Sequence, residues 1–277
     1  RTRPAFDGWL QMQTSMRANL LGRMLSAKRK IGFPAGYGRE LHNLVVSEHV
    51  APSEAFHVLD VFKEFAHTIG VPPFIAAWRI PISEQDRQTA SELVNGKLDY
   101  VLLAPSASHN ERIWMPERYA ALADYCYSKG LRVLVTGSAA QRDIDLARQI
   151  CELASNSIIN AAGRTSLKEL LALCEQARLV IGPDSGTLHM ATTQQTPVIG
   201  LYAHSNPLRT GPYQGLSTVA NAYAGIMASR GLHKHMKKWG YRLKGAALME
   251  KIELEEVTSL VDEALSIPNQ KRSIETS

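Results

Sequence analysis

Between Tyr100 and Tyr202 the chain alternates short apolar runs with longer amphipathic stretches. The runs are YVLLAPS (100–106), RVLVTG (132–137), SIINAAG (157–163), RLVIGPD (178–184) and PVIGLY (197–202), rich in β-branched residues or leucine. Continuous runs of this length predict strands buried on both faces, and the helical stretches between them supply the covering layers. The pattern therefore predicts βαβα units around a parallel sheet. Within 166–177, Ser166 and Glu169 have the spacing of a capping box, and Leu167, Leu170, Leu171 and Cys174 form one apolar stripe. A further amphipathic helix is predicted over 253–265, with acids in its first turn where the helix dipole favours them, and PNQKRSIETS at 268–277 reads as a frayed tail.

Upstream of Gly96 the texture differs. Met16, Leu20, Leu21 and Met24 recur at helical spacing within 15–25 and run into the basic AKRK at 27–30, which predicts an amphipathic helix with a cationic exit. Residues 31–44, with three Gly and one Pro, read as loop. Phe56, Leu59, Phe62, Phe65 and Ala66 predict a second helix over 55–69, closed by Pro72 and Pro73. The change of texture at Gly96 places a domain boundary there. The expected organisation is a first domain at 1–95, a second at 96–252, and a C-terminal helix and tail at 253–277 with the option of packing back on the first domain.

Composition narrows the class. A hydrophobic content of 45% and a charged content of 21%, without a bilayer-length apolar run, exclude an integral membrane protein built on spanning helices. The net charge of +5 suits a partner carrying phosphates or carboxylates. Cys126, Cys151 and Cys174 lie far apart, on predicted helices and without CxxC spacing, so they read as buried thiols of a reducing compartment, by default the cytoplasm. The opening RTRPAFDGWLQMQ has no signal-peptide pattern.

In an open parallel sheet, ligands bind beyond the carboxyl ends of the strands, where helix N-termini present unpaired amides. Two stretches of unusual composition fall at such ends. In PSASHNERIWMPERY (105–119), Ser106 and Ser108 offer hydroxyls and Arg112 a cation, a set that suits a phosphate or pyrophosphate. Spacing alone leaves open a plainer alternative, a serine that caps the helix beginning near Pro116. In the second stretch Asp184 ends a buried run, and Ser185, Gly186 and Thr187 begin a helix whose amides suit an anion. A carboxylate beside pyrophosphate is repelled, so Asp184 is expected to grip a sugar hydroxyl or cap the helix, while His189, one turn on, faces the same ligand. Here too a capping Asp and a histidine satisfied by backbone would explain the residues without a ligand.

DSGTLHMA (184–191), the strand TPVIGLY and the loop NPLRTGPY (206–213) together resemble the signature of glycosyltransferase family 9, the ADP-heptose:lipopolysaccharide heptosyltransferases. Supporting matches follow in the family's order: LSAKRKIGF with Arg39 and Glu40, the serine loop with Arg112 and Trp114, GSAAQRD (137–143), AGRTSLKELLAL (162–173), and the C-terminal WGYRL and ALMEKIELEEV. The resemblance implies an α/β fold of GT-B type, two Rossmann-like domains facing a cleft, with the N-terminal domain incomplete. It implies inverting, metal-independent transfer of heptose from ADP-heptose to the lipopolysaccharide inner core, with no cofactor. It also implies a lipid-linked anionic saccharide acceptor, peripheral contact with the inner face of the cytoplasmic membrane, and no nucleic-acid partner.

Carried over by matching position, Ser106, Ser108, Arg112, Gln141, Asp184, Ser185, Gly186 and His189 bind the donor, and Arg112 also stabilises the leaving diphosphate. Arg17, Arg39 and Glu40 face the acceptor, beside a basic run at Lys28, Arg29 and Lys30 that would steer docking to a lipid surface. Three departures stand out. The family's usual opening strand and Gly-rich loop, with the Asp that serves as base, have no match here, so the base is expected upstream of Arg1. Gln141 stands where many members have Glu, and TSMR (14–17) replaces a Gly-containing stretch. The competing readings are a donor-binding protein without turnover and a GT-B nucleotide-sugar epimerase.

Overall fold

A computed structural model describes residues 6–52, 56–96, 99–213, 218–236 and 238–267. The chain divides into two compact units, one made of 1–76 with 234–240, the other of 77–233 with 241–277.

The first unit holds a three-stranded parallel sheet in the order β1 (Phe6–Gln11), β2 (Ala27–Gly32), β3 (Glu48–His49), with α1 (Met16–Met24) joining the first two strands and α2 (Val58–Thr68) following the third. Its core is Ile31, Phe33, Val50, Val61, Phe65 and Trp239. Trp239 arrives from the C-terminal half of the chain, stacks on Tyr37 with ring centroids 4.9 Å apart, and donates its indole N–H to the Phe56 carbonyl at 3.2 Å.

The AKRK run is strand rather than a helix exit. α1 stops at Met24, and Lys28, Arg29 and Lys30 lie in β2. There Lys28 pairs with Asp7 at 2.7 Å, Arg29 grips Glu48 with two bonds of 2.9 and 2.7 Å, and Lys30 donates to the Gly22 carbonyl at 2.8 Å. Alternating contacts within a half-exposed sheet, not a shared cationic face, account for the run.

The second unit begins with α3 (Glu84–Leu93), whose Ser83 cap and Asp86 form a capping box. It continues with β4 (Tyr100–Leu103), α4 (Pro116–Ser128), β5 (Arg132–Val135), α5 (Gln141–Leu153), β6 (Ile159–Asn160), α6 (Leu167–Gln176), β7 (Leu179–Pro183), α7 (Gly186–Thr193), β8 (Val198–Tyr202), α8 (Pro207–Thr210) and β9 (Val219–Asn221). α9 (Tyr223–Ser229) and α11 (Leu254–Ser266) complete it, and the single turn α10 (His233–Met236) lies where the chain passes into the first unit.

The six strands are parallel and ordered β6-β5-β4-β7-β8-β9. Chain order therefore reverses between β4 and β7, the doubly wound arrangement in which a crevice opens at the switch point. Side chains alternate across the sheet as the period of a strand requires. Val101, Leu103, Val133, Val135, Leu179 and Ile181 pack toward Tyr119, Leu122, Cys126, Ile150, Val257 and Val261. Tyr100, Leu102, Leu134, Val180 and Val198 pack toward Ala90, Val94, Leu173, Cys174 and Leu188. Both faces are covered, as the continuous apolar runs required.

Two organisational expectations change. α3 precedes the texture change at Gly96 yet belongs to the second unit: Ala90 and Val94 are fully buried against its sheet, and Arg87 makes a two-bond ion pair with Glu175 of α6 at 2.8 and 3.1 Å. α11, expected as a separate C-terminal segment, is also part of this second unit. Asp262 accepts from Tyr125 at 2.6 Å and pairs with Lys129 at 2.7 Å, and Glu256 accepts from the Asn221 amide at 3.2 Å. The tail at 268–277 lies outside the described residues. All three cysteines are free thiols, on α4, α5 and α6.

Candidate functional site

β4 and β7 are held in register from Val101 opposite Leu179 to Leu103 opposite Ile181, and the Ala104 amide extends the ladder to the Ile181 carbonyl at 2.9 Å. They close tightly: a Cβ on Gly182 would lie 2.6 Å from the Ala104 carbonyl oxygen, so only glycine fits there. Past this point the chains diverge, and between the loops that follow lies a cavity of about 720 Å³. The serine loop after β4, the turn after β5, the start of α6 and the β7–α7 junction all line it.

The residues singled out for the donor meet here with one exception. Ser106, Ser108, Arg112, Asp184, Ser185, Gly186 and His189 all line the cavity. Neither serine caps α4, whose N-cap is Met115 with no side-chain bond, which removes the plainer explanation of the serine loop. Ser185 is the N-cap of α7, but its hydroxyl bonds to no backbone amide. The first amides of a helix have no partner within it, and here they open beside Gly186, at which a Cβ would meet nothing within 4 Å. The exception is Gln141. It is exposed, donates to Asp145 on its own helix at 2.9 Å, and is not among the lining residues. The neighbouring Arg142 is, and it donates to the Ala107 carbonyl at 2.7 Å and to Asp143 at 3.1 Å, so it braces the serine loop from α5.

Asp184 is the hub of the wall. Its carboxylate accepts from the Ser205 hydroxyl at 2.7 Å and the Thr210 hydroxyl at 3.1 Å, and lies 3.6 Å from His189 Nε2 and 3.5 Å from Arg112 Nη1. Arg112 Nη1 also donates to the Asp184 carbonyl at 2.9 Å. Burial opposes ionisation of this carboxyl, but the His189 contact, the Arg112 charge and the Ser205 bond outweigh it and hold its pKa down at about 2. The hydroxyls Asp184 grips are thus the protein's own. It does not cap α7; its Oδ2 is taken up by Ser205 and Thr210, and its two oxygens orient Arg112 and His189, both of which line the cavity.

Ser205 and Thr210 went unassigned in the sequence. They reach Asp184 because Asn206 caps the short helix α8, accepting from the Leu208 amide at 3.0 Å with Pro207 in the first turn, and so folds the segment after β8 back toward β7. Four polar atoms of the cavity wall remain without a hydrogen-bond partner among the described residues although buried: the hydroxyls of Ser106, Thr136 and Ser185, and Arg112 Nε. A buried polar group left unpaired costs about 1–3 kcal/mol. Four of them on one wall suit an oxygen-rich anionic ligand.

The cavity also has an apolar side. Leu167, Leu170 and Met190 line it, and Leu167 is 76% exposed instead of completing the buried stripe of α6. The capping box formed by Ser166 and Glu169, with bonds of 3.2 and 2.6 Å, fixes the start of that helix at the cavity rim.

The residues expected to face an acceptor lie in the first unit. Arg17 is exposed on the first turn of α1, and Arg39 and Glu40 are in the loop after β2. The Glu40 carboxylate accepts from the Met16 amide and so caps α1, while Arg39 donates to the Gly240 carbonyl. The buried Asn19 donates to the carbonyls of Arg39 and Glu40 at 3.2 and 2.8 Å, which draws this loop onto α1.

Residues 2–241 match the family model described as glycosyltransferase family 9 (heptosyltransferase). The lipopolysaccharide core heptosyltransferase OpsX of Haemophilus influenzae is 39% identical over 253 residues, 91% of this chain and 73% of that protein. Lipopolysaccharide heptosyltransferase 3 of Escherichia coli is 26% identical over 216 residues, 75% of this chain and 62% of that protein. Among solved structures, a family 9 glycosyltransferase from Veillonella parvula superposes with a TM-score of 0.71 at 22% identity, over 94% of this chain and 74% of that one. ADP-heptose lipopolysaccharide heptosyltransferase II of E. coli superposes with a TM-score of 0.64 at 18% identity, over 94% and 76%. These similarities establish an α/β fold with parallel sheets, of the GT-B class.

Proposed function

The chain belongs to glycosyltransferase family 9, the heptosyltransferases, and from that premise we propose that it transfers heptose from ADP-heptose to a sugar of the lipopolysaccharide core, inverting the anomeric centre without a metal. The observation that carries this reading is the set of buried, unpartnered polar atoms of Ser106, Thr136, Ser185 and Arg112 around one cavity at the sheet's switch point. Three hydroxyls and a guanidinium beside open helix amides match a diphosphate in charge and in hydrogen-bonding capacity.

In the transfer, the bond from the sugar's anomeric carbon to the diphosphate oxygen breaks as the acceptor hydroxyl attacks from the opposite face. Negative charge grows on the departing ADP. Arg112, held by Asp184, and the first amides of α7 stabilise that charge, and donors fixed before the reaction do so without reorganising. The apolar side at Leu167, Leu170 and Met190 suits the nucleobase. Arg17, with the loop holding Arg39 and Glu40, is assigned to the anionic acceptor; the proton acceptor for its hydroxyl is left unassigned. The acceptor's lipid anchor brings this unit against a bilayer surface, and no helix among the described residues is long and apolar enough to cross a membrane.

The test is an assay of the full-length protein with ADP-heptose and a heptose-deficient core acceptor. We expect ADP release matched by heptosylated product, an inverted anomeric configuration by NMR, and turnover that survives EDTA. Donor binding without ADP release would favour a non-catalytic binding protein, and free sugar formed without acceptor would favour an epimerase.

A further inference from the structure

The site described above leaves one buried titratable group without a task. His204 lies two residues past β8, directly before the Ser205 that bonds Asp184. It is 6% exposed, and neither ring nitrogen has a hydrogen-bond partner among the described residues. Its carbonyl accepts from the Leu243 amide at 2.9 Å, and the Leu243 backbone also acts on the ring in the direction that favours its protonated form. His109 of the serine loop packs against it with ring centroids 6.0 Å apart and planes inclined by 31°. The charged groups that act on it are Arg112 and Glu111 from the serine loop and Arg242 from the segment after Trp239. A buried imidazole without a well-formed hydrogen bond at either nitrogen is an expensive way to fill space that an apolar ring would fill at no cost.

We propose that His204, which sits behind the wall of the donor site and does not line the cavity, is a proton-carrying group: its imidazole takes up a proton when a diphosphate binds against Arg112, and the added cation strengthens the hold on the leaving group. The proposal rests on the reading of the cavity as a diphosphate site. Burial pushes His204 below the usual imidazole range and Arg112 and Arg242 push it further, while Glu111 and the Leu243 backbone oppose them without reversing the shift. The free site thus holds the ring neutral. An anion bound at Arg112 offsets the positive field that keeps the proton away, so donor and proton bind cooperatively, and each must favour the other by the same factor. The proton comes from solvent to a ring nitrogen, and no bond of the donor changes. His204 touches no reacting atom and acts as a positioning residue through charge.

The test uses ADP-heptose without acceptor, because a diphosphate esterified at both ends does not itself titrate near neutrality. Calorimetric titrations between about pH 6 and 8, around the ordinary imidazole pKa of about 6.5, in buffers of different ionisation enthalpy, are expected to show net proton uptake. Affinity should rise as pH falls, by up to about tenfold for each pH unit by which donor binding raises the imidazole pKa. His204→Gln should abolish the uptake and flatten the pH dependence, and His109→Gln should retain both. NMR titration of the wild-type imidazoles with and without donor gives a readout that needs no variant and separates His204 from His189: the His204 pKa should rise on binding. Binding without uptake, uptake that persists in His204→Gln, or an unmoved His204 resonance would overturn the proposal while leaving the donor site standing. Absence of donor binding to the wild type would instead overturn the cavity assignment, and this proposal with it.

Discussion

Replacing Asp184 by Asn tests the hub of the cavity wall. The side chain keeps its shape and an oxygen for Ser205 and Thr210, but Arg112 loses its counter-charge. The depression of the carboxyl from 3.8 to about 2 corresponds to roughly 2 kcal/mol of stability at neutral pH, at about 1.4 kcal/mol per pH unit. Breaking a buried ion pair from one side costs about 3–5 kcal/mol. The lower end applies here, because the 3.5 Å separation is loose and Arg112 keeps its bond to the Asp184 carbonyl. We expect Asp184→Asn to destabilise the protein by about 2–3 kcal/mol at pH 7, read as a lower urea midpoint at unchanged slope. The sign of the pH dependence follows from the depressed carboxyl. Its contribution is complete above the unfolded pKa and is lost as pH falls through the folded value, so the gap between wild type and variant should narrow between about pH 4 and 2. A midpoint equal to wild type at pH 7, or a gap of constant size down to pH 2, would refute the assignment of Asp184 as the charge that holds Arg112.

Two further predictions bear on the same wall. Gly182→Ala sets a Cβ against the Ala104 carbonyl where β4 and β7 close, and should cost about 1–3 kcal/mol, measurable by thermal unfolding, with donor affinity reduced as the loops shift. Gln141→Ala removes only a contact along α5, so the Kd for ADP-heptose should stay within about twofold, inside the range expected for a surface substitution; a tenfold loss would return Gln141 to the donor site.

How much of this was legible in the sequence follows from burial. β4, β5, β7 and β8 are covered on both faces, and a strand so placed must be apolar at every position, which leaves a run that can be read directly. β1 (FDGWLQ) and β2 (AKRKIG) are only partly buried, and Asp7 with Gly8 in one and Lys28, Arg29 and Lys30 in the other interrupt their apolar residues, so β1 passed without an assignment and the basic residues of β2 looked like the end of a helix. α3 was set apart for a similar reason: Ala90 is its one fully buried residue, joined by Val94 just past its end, too few to mark a core helix, although they suffice to attach it. At the site, the residues that flank the ends of β4 and β7 were legible because topology dictates where ligands bind. Ser205 and Thr210 were not, since they meet Asp184 across 21 and 26 residues through a turn whose direction depends on Asn206 and Pro207. Gln141 and Arg142 differ by one position, and on a helix that is about 100° of rotation, enough to exchange a surface residue for one at the cavity rim.

The attachment of α3 has a practical side. A donor-binding piece cut at Gly96, where composition changes, would begin at the first strand of its sheet and lose Ala90 and Val94 from the cluster that buries Tyr100 and Leu102, with Glu175 stripped of its guanidinium. Starting ahead of Ser83 keeps the helix, its cap and the ion pair together. The natural seam of this polypeptide for dissection, fusion or recombination with other family members therefore lies in the proline-rich segment before α3, not at the glycine that draws the eye.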